Sequence, residues 1–340
     1  MSMNRVQRNP LQGTAVARAI RPTPTLVITG AVVLLTAISQ LVVTDGFFSR
    51  GSLSTLTPLI GILVLVAVGQ AFVISTGGID LSLPGTMTWV GAIVLEQPKG
   101  ADGGLFGAVV LCAGVCVLIG LVNGILVEGL GLNSLVVTLA VGQLVLGCTQ
   151  LYRGAVPQVQ RVPDNLAAWA TAGIGGVSGI LLASVALAVL ATFFLHRVVA
   201  GRRLVAVSTA KRAAVLTGIR ASLYRMAAYV VAALVYGVGG LLAAGQTGTP
   251  DLTLGEPYLL TSVVAVVLGG AALTGGRVSP IATLMGAVFV TVLDFDLRVL
   301  GLSAGARLIV QGAVLALGLS LINVVRHRAE IGRALRRLAA

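Results

Sequence analysis

In "ISTGGIDLSLPG", residues 74–85, a carboxylate stands between two apolar runs, "LIGILVLVAVGQAFV" before it and "TMTWVGAIVL" after it. A carboxylate so placed is costly and needs a partner or a task. Two readings fit Asp80. In one, Gly77-Gly78 end a helix, and Asp80 or Ser82 accepts from the free amides of the next helix, ahead of Pro84. In the other, the break opens backbone and polar side chains to a cavity in a discontinuous helix, and Gln70, Ser75 and Thr76 extend a polar-lined path. The candidate break or path is therefore Gln70, Thr76, Gly77, Gly78, Asp80 and Ser82.

The other informative stretch is "STAKRAAVLTGI", residues 208–219. Ser208-Thr209 offer an N-cap, helix formers follow, and Gly218 offers a C-cap. A short capped helix in a water-facing loop suits docking into a partner. A basic loop lying against lipid head groups is the alternative. Ala213 and Ala214 are small enough for close seating, and Gly218 can take the left-handed conformation that ends a helix cleanly.

Catalytic chemistry finds little to work with. His196 and His327, the two histidines, stand beside arginines with no second metal ligand near them. HExxH and the phosphate-binding Gly-Lys-Ser/Thr loop are missing, so the chain has no means of its own to hydrolyse ATP. Asp294 and Asp296, at i and i+2, point to different faces of a helix and read as a solvated turn. Cys112, Cys116 and Cys148 lie in apolar segments and read as small buried residues, with no disulfide or metal spacing. No cofactor or metal is expected.

These residues must be positioned by elements suited to lipid. Of 340 residues 56% are hydrophobic and 10% charged, with mean hydropathy +1.01. A soluble domain carries about a quarter charged residues. Most of this surface must face hydrocarbon, so the chain is an all-α, multi-pass membrane protein of the cell membrane. The net charge of +12 does not mark a nucleic-acid binder, because the basic residues gather in the tails and one loop and form no stripe along a folded face. The tails can also touch anionic lipid.

Spanning helices need about 20 apolar residues. Ten candidates follow: 25–44, 56–75, 81–96, 104–127, 134–151, 173–195, 222–247, 258–273, 279–297 and 305–325, the third and eighth short. The chain divides into a basic N-terminal tail, 1–24, a membrane domain, 25–325, with one large loop at 196–221, and a basic C-terminal tail, 326–340. The first apolar run is too long for a signal-peptide core and lacks a small-residue cleavage site, so it stays as an anchor. Ten spans with both termini in the cytoplasm place 17 of the 23 Lys and Arg residues inside, as the positive-inside rule requires. Thr-Gly-Gly occurs twice between apolar runs, at Thr76 and Thr274, a weak sign of internal repetition.

Four stretches together resemble one known family. "GQAFVISTGGIDLSLPGTMTWVGAIV" is similar to the G-x-x-x-V-I-x-T-G-G-I-D-L-S-V-G stretch of ribose/xylose-type ABC transporter permeases, within the branched-chain amino acid/sugar permease superfamily. "GLVNGILVEGLGLNSLVVTLAVGQLVLG", "GRRLVAVSTAKRAAVLTGI" and "YLLTSVVAVVLGGAALTGGRVSPIATLMGAVFVTVL" resemble the family's succeeding segments in the same order, over about residues 50–325. The resemblance implies a permease subunit that pairs with a second copy or homologue. It also implies cytoplasmic ATP-binding subunits, which would bind the ATP, and an extracytoplasmic solute-binding protein that delivers a monosaccharide. The coupling segment would be Ser208, Lys211, Arg212, Ala213, Ala214 and Gly218. Departures are Lys211 and Arg212, where family members often carry acidic residues, Pro84 for a usual Gly, Val278 and Pro280 for small residues, and "DFDLRVLGLSAG" for an Asn-rich stretch. An ion-coupled secondary transporter is the competing expectation. It would need intramembrane carboxylates, for which only Asp80 and Glu128 qualify. An intramembrane enzyme is disfavoured because no nucleophile–base set is present.

Overall fold

A computed structural model describes residues 24–43, 46–154, 161–314 and 316. Residues 1–23, the C-terminal tail, His327 and the second half of the last expected span lie outside the described residues. The chain is all-α. Its helices are α1 (Pro24–Val42), α2 (Arg50–Ser75), α3 (Leu83–Glu96), α4 (Leu105–Gly124), α5 (Ser134–Arg153), α6 (Asp164–Thr171), α7 (Gly179–Arg197), α8 (Val199–Thr209), α9 (Lys211–Leu216), α10 (Ala221–Thr247), α11 (Tyr258–Leu268), α12 (Pro280–Val299) and α13 (Ala304–Val314). The two strands, β1 (Gly173–Ile174) and β2 (Val177–Ser178), form a minimal antiparallel hairpin between α6 and α7.

Seven helical segments among the described residues are long and apolar enough to span: those containing α1, α2, α4, α5, α7, α10 and α12. Helices α3, α11 and α13 are shorter, with 14 residues in α3 and 11 in α11. Two of these are the third and eighth candidate spans, which the sequence marks as short.

The helices are sorted by burial more than by hydropathy. In α2 the most apolar window is 94% buried, whereas in α1 it is 11%. Helix α2 is thus the central post, with α10, α7, α12 and α11 around it, while α4 and α3 flank α10 and α1 leans on α12. Lipid tails are as apolar as leucine, so helix association here depends on close packing and interhelical hydrogen bonds. Glycines permit the close packing. A Cβ at Gly120 would lie 2.5 Å from Val230 Cα, and one at Gly124 would lie 3.1 Å from Met226 Cα. These two residues, four apart, form a flat seam of α4 against α10. Gly69 of α2 likewise sits beneath the Tyr236 ring of α10, and Gly286 of α12 against the Ala265 carbonyl of α11. The outward faces of α4, α5 and α7 carry exposed Val110, Leu118, Leu139, Leu144, Leu190 and Phe193, as lipid contact demands. Cys148 lies on such an exposed face of α5 and corrects the expectation of three buried thiols; Cys112 and Cys116 are buried.

Asp294 and Asp296 are also corrected. They do not form a solvated turn but stand in the last turns of α12. Asp296 is buried and accepts from Ser39 Oγ of α1 at 2.5 Å. Asp294 accepts from Arg298 at 2.7 Å, Arg307 at 3.1 Å and Gln311 at 2.8 Å. Pointing to different faces, the two carboxylates fasten α1 and α13 to α12.

Candidate functional site

The break after α2 is built so that irregular backbone survives in an apolar interior, where each unpaired amide or carbonyl is expensive. At its start Thr76 N and Gly77 N donate to Val73 and Ile74 carbonyls, each at 2.9 Å, and Gly77 takes φ +85°. Ser75 Oγ and Thr76 Oγ1 donate to the Phe72 and Val73 carbonyls at 2.7 and 2.8 Å. Beyond Gly78 the backbone groups are met by side chains from other helices. Thr138 Oγ1 of α5 accepts from Leu81 N at 2.8 Å, and Ser134 Oγ accepts from Ile79 N at 3.4 Å. The Gln70 amide, oriented to match its surroundings, accepts from Asp80 N at 3.2 Å and donates to the Asp80 carbonyl at 3.3 Å. The same amide nitrogen reaches the Tyr236 hydroxyl of α10.

Asp80 itself is 1% exposed. Its Oδ1 accepts from Ser82 N at 2.9 Å and from Ser82 Oγ at 2.6 Å, while Asn123 Nδ2 of α4 donates to Ser82 Oγ at 2.8 Å. These bonds hold the turn just before α3, whose N-cap Ser82 makes no side-chain capping bond; Asp80 accepts from Ser82 and not from the amides of α3, so it fixes the turn and does not cap the helix as expected. Among the described residues, Asp80 Oδ2 and Asn123 Oδ1 are buried without a partner. Gln70, Thr76, Asp80 and Ser82 are all buried and bonded to the break. Within one copy of the chain they close the break and do not line an open passage.

The second Thr-Gly-Gly meets the first. Gly276 N donates to the Ser75 carbonyl at 2.9 Å. A Cβ at Gly275 (φ +95°) would stand 2.9 Å from Gly77 N, so neither glycine has room for a side chain. The α2–α3 break and the α11–α12 break therefore touch backbone to backbone.

The 196–221 loop is α8 and α9, separated at Ala210 (φ −151°, ψ 73°). Ser208 does not cap α9: it is the penultimate residue of α8, and α9 begins at Lys211 after an alanine that offers no capping side chain. The reason lies in tertiary contact. Ser208 Oγ is 3.3 Å from Ser75 Oγ, whose proton already goes to the Phe72 carbonyl, so Ser208 donates and α8 ends on the Thr-Gly-Gly break. At the other end Gly218 takes φ +81°, with Gly218 N donating to Val215 at 2.9 Å and Ile219 N to Ala214 at 3.1 Å. That pair of bonds is a Schellman closure.

The side chains of α9 divide unexpectedly. Ala214 is buried in a small cluster with Val207 and Ala221, so it seats α9 on its own chain and is not offered outward. Arg212, Ala213, Val215 and Leu216 are exposed, and Leu216 is 88% exposed. Val215 and Leu216 are the apolar tip that sequence reasoning passed over; two aliphatics inside a basic loop were the available signal. Lys211 does not point away from the chain either. Its Nζ lies 3.7 Å from Glu128 Oε2, and Arg225 Nη2 lies 2.7 Å from Glu128 Oε1. Asn123, Ser134, Thr138 and Tyr236 were likewise not singled out. Asn123, the polar residue in "GLVNGIL", was visible as an anomaly, whereas the others look ordinary in their helices.

The chain is similar in sequence to known proteins over most of its length. The family described as branched-chain amino acid transport system / permease component matches residues 52–319. The ribose import permease protein of Escherichia coli (strain K12) is 28% identical over 86% of this chain and 91% of its own length. The ribose import permease protein of Bacillus subtilis (strain 168) is 30% identical over 76% and 80%. The fructose import permease protein of Rhizobium meliloti is 29% identical over 87% and 84%. No solved structure matches the chain significantly.

Proposed function

The chain belongs to the branched-chain amino acid transport system / permease component family, and we propose that it forms the translocation path for a monosaccharide or similar small polar solute in an ATP-driven importer of the bacterial inner membrane. A separate cytoplasmic ATPase energises it, a second permease copy or homologue completes the path, and an extracytoplasmic binding protein delivers solute. The observation that carries this reading is the near full-length similarity to permeases named for ribose and fructose import.

The geometry supports the same reading. Helices α8 and α9 present an exposed tip of Val215, Leu216 and Arg212 while their inner side rests on the break through Ser208 and Ser75. An element seated that way receives a partner on one side and touches the membrane interior on the other. The ion-coupled alternative loses its two carboxylates: Asp80 is enclosed and Glu128 is already paired with two cations.

Purification in mild detergent from the native host tests this directly. The expected result is stoichiometric recovery of a two-domain ATPase with the tagged permease. A chain that purifies alone and carries solute without an ATPase would sink the reading.

A further inference from the structure

Glu128 is the carboxylate that neither the break nor the exposed tip uses. It stands in a single π-helical turn, Ile125–Gly129, that continues α4. Such turns appear mostly as single turns within α-helices, frequently at functional sites. The Glu128 side chain is 4% exposed and has one cation on each oxygen. The two partners are unequal. Arg225, in the first turns of α10, is 18% exposed with its Nη2 2.7 Å from Glu128 Oε1, so it is the closer counter-charge to the buried carboxylate. Lys211, the first residue of α9, is 54% exposed and 3.7 Å away. Its attraction is Coulombic and screened by water, so this is the weaker half of the joint.

We propose that Glu128 is a positioning residue through which α9 pulls on α4, with the Lys211 contact as the detachable half of the joint. The proposal rests on α8–α9 being the element that receives the ATPase. Movement of α9 then reaches the break by two routes. One runs from Lys211 to Glu128, along one and a half turns of α4 to Asn123, and from Asn123 Nδ2 to Ser82 beside Asp80. The other is direct, from Ser208 to Ser75. The two states are a joined and a parted Lys211–Glu128 pair, and the π turn supplies the slack between them.

The test is solute taken up per ATP hydrolysed, measured in proteoliposomes holding the full transporter: permease, ATPase and binding protein. Lys211→Met removes the charge from an exposed position, and Lys211→Arg restores it. The expected result is a fall in uptake per ATP of about fivefold or more for Met, the lower end of ordinary coupling, with recovery by Arg. Adding Glu128→Gln to Lys211→Met should lower the ratio no further than Glu128→Gln alone, because the two residues act as one unit. Wild-type uptake per ATP in Lys211→Met would overturn the proposal. So would loss of ATPase binding in that variant, which would make Lys211 a direct partner contact while sparing the docking reading. If the ATPase fails to bind even the unaltered permease, the docking reading itself falls, and this proposal with it.

Discussion

Asp80 uses one oxygen and leaves the other without a partner, which makes its role separable by substitution. Asn keeps an acceptor for Ser82 N and Oγ. Asp80→Asn should therefore yield folded protein and near-normal uptake. Asp80→Ala leaves the buried Ser82 amide and hydroxyl without their acceptor and should cost about 1–3 kcal/mol, read as a lower unfolding midpoint in detergent. A well-assembled but inactive Asn variant would show that the charge, not the turn, is what transport needs. At this scale the sequence was legible where partners are close in the chain. Asp80 and Ser82 are two apart, and Gly218 ends its own helix. Gln70 joins the break through the backbone of Asp80, and nothing local in the sequence distinguishes that from lining a path. Ser208 misled for the same reason: a Ser-Thr pair before helix formers looks like a cap until Ser75 is known to be beside it.

At the scale of the element, α9 exposes Val215 and Leu216 and buries Ala214, so on the proposed reading Val215 and Leu216 form the docking tip. Leu216→Asp should weaken ATPase recovery at least about tenfold, which corresponds to ~1.4 kcal/mol, while the permease still inserts and remains monodisperse. Normal recovery would remove α9 from the interface. Ala214→Trp, by contrast, would unseat α9 from Val207 and Ala221 and report on the chain's own packing. Gly218→Val forces a β-branched residue to φ +81°, a conformation that costs on the order of 1–3 kcal/mol. It should fray the end of α9 and lower uptake per ATP, with less effect on permease yield. The helices were legible because long apolar runs admit no other structure in lipid. The short α3 and α11 were legible as short apolar runs among the candidate spans. The division of 196–221 into two helices was not, since Ala210 carries no mark of a kink in its side chain.

For the whole molecule, the apolar composition identified the solvent and the break motif identified the family, but the arrangement was hidden. Nothing in one sequence says that Thr76-Gly77-Gly78 and Thr274-Gly275-Gly276 meet, because glycines record closeness only once the neighbour is known. The basic bias of 17 to 6 makes a statement about sidedness. Single cysteines at Ser208 and Gly100, in a background lacking the native thiols, should react with an impermeant maleimide from the cytoplasmic and outer sides respectively. Opposite labelling at Ser208 would invert the topology and strip α9 of its access to ATP. The decisive measurement is uptake of labelled ribose, fructose or galactose into proteoliposomes containing the permease, its ATPase and its binding protein. The account predicts uptake of at least one of these sugars that requires ATP on the α9 side and is indifferent to a protonophore; uptake that proceeds without ATP and collapses with the proton gradient would contradict it.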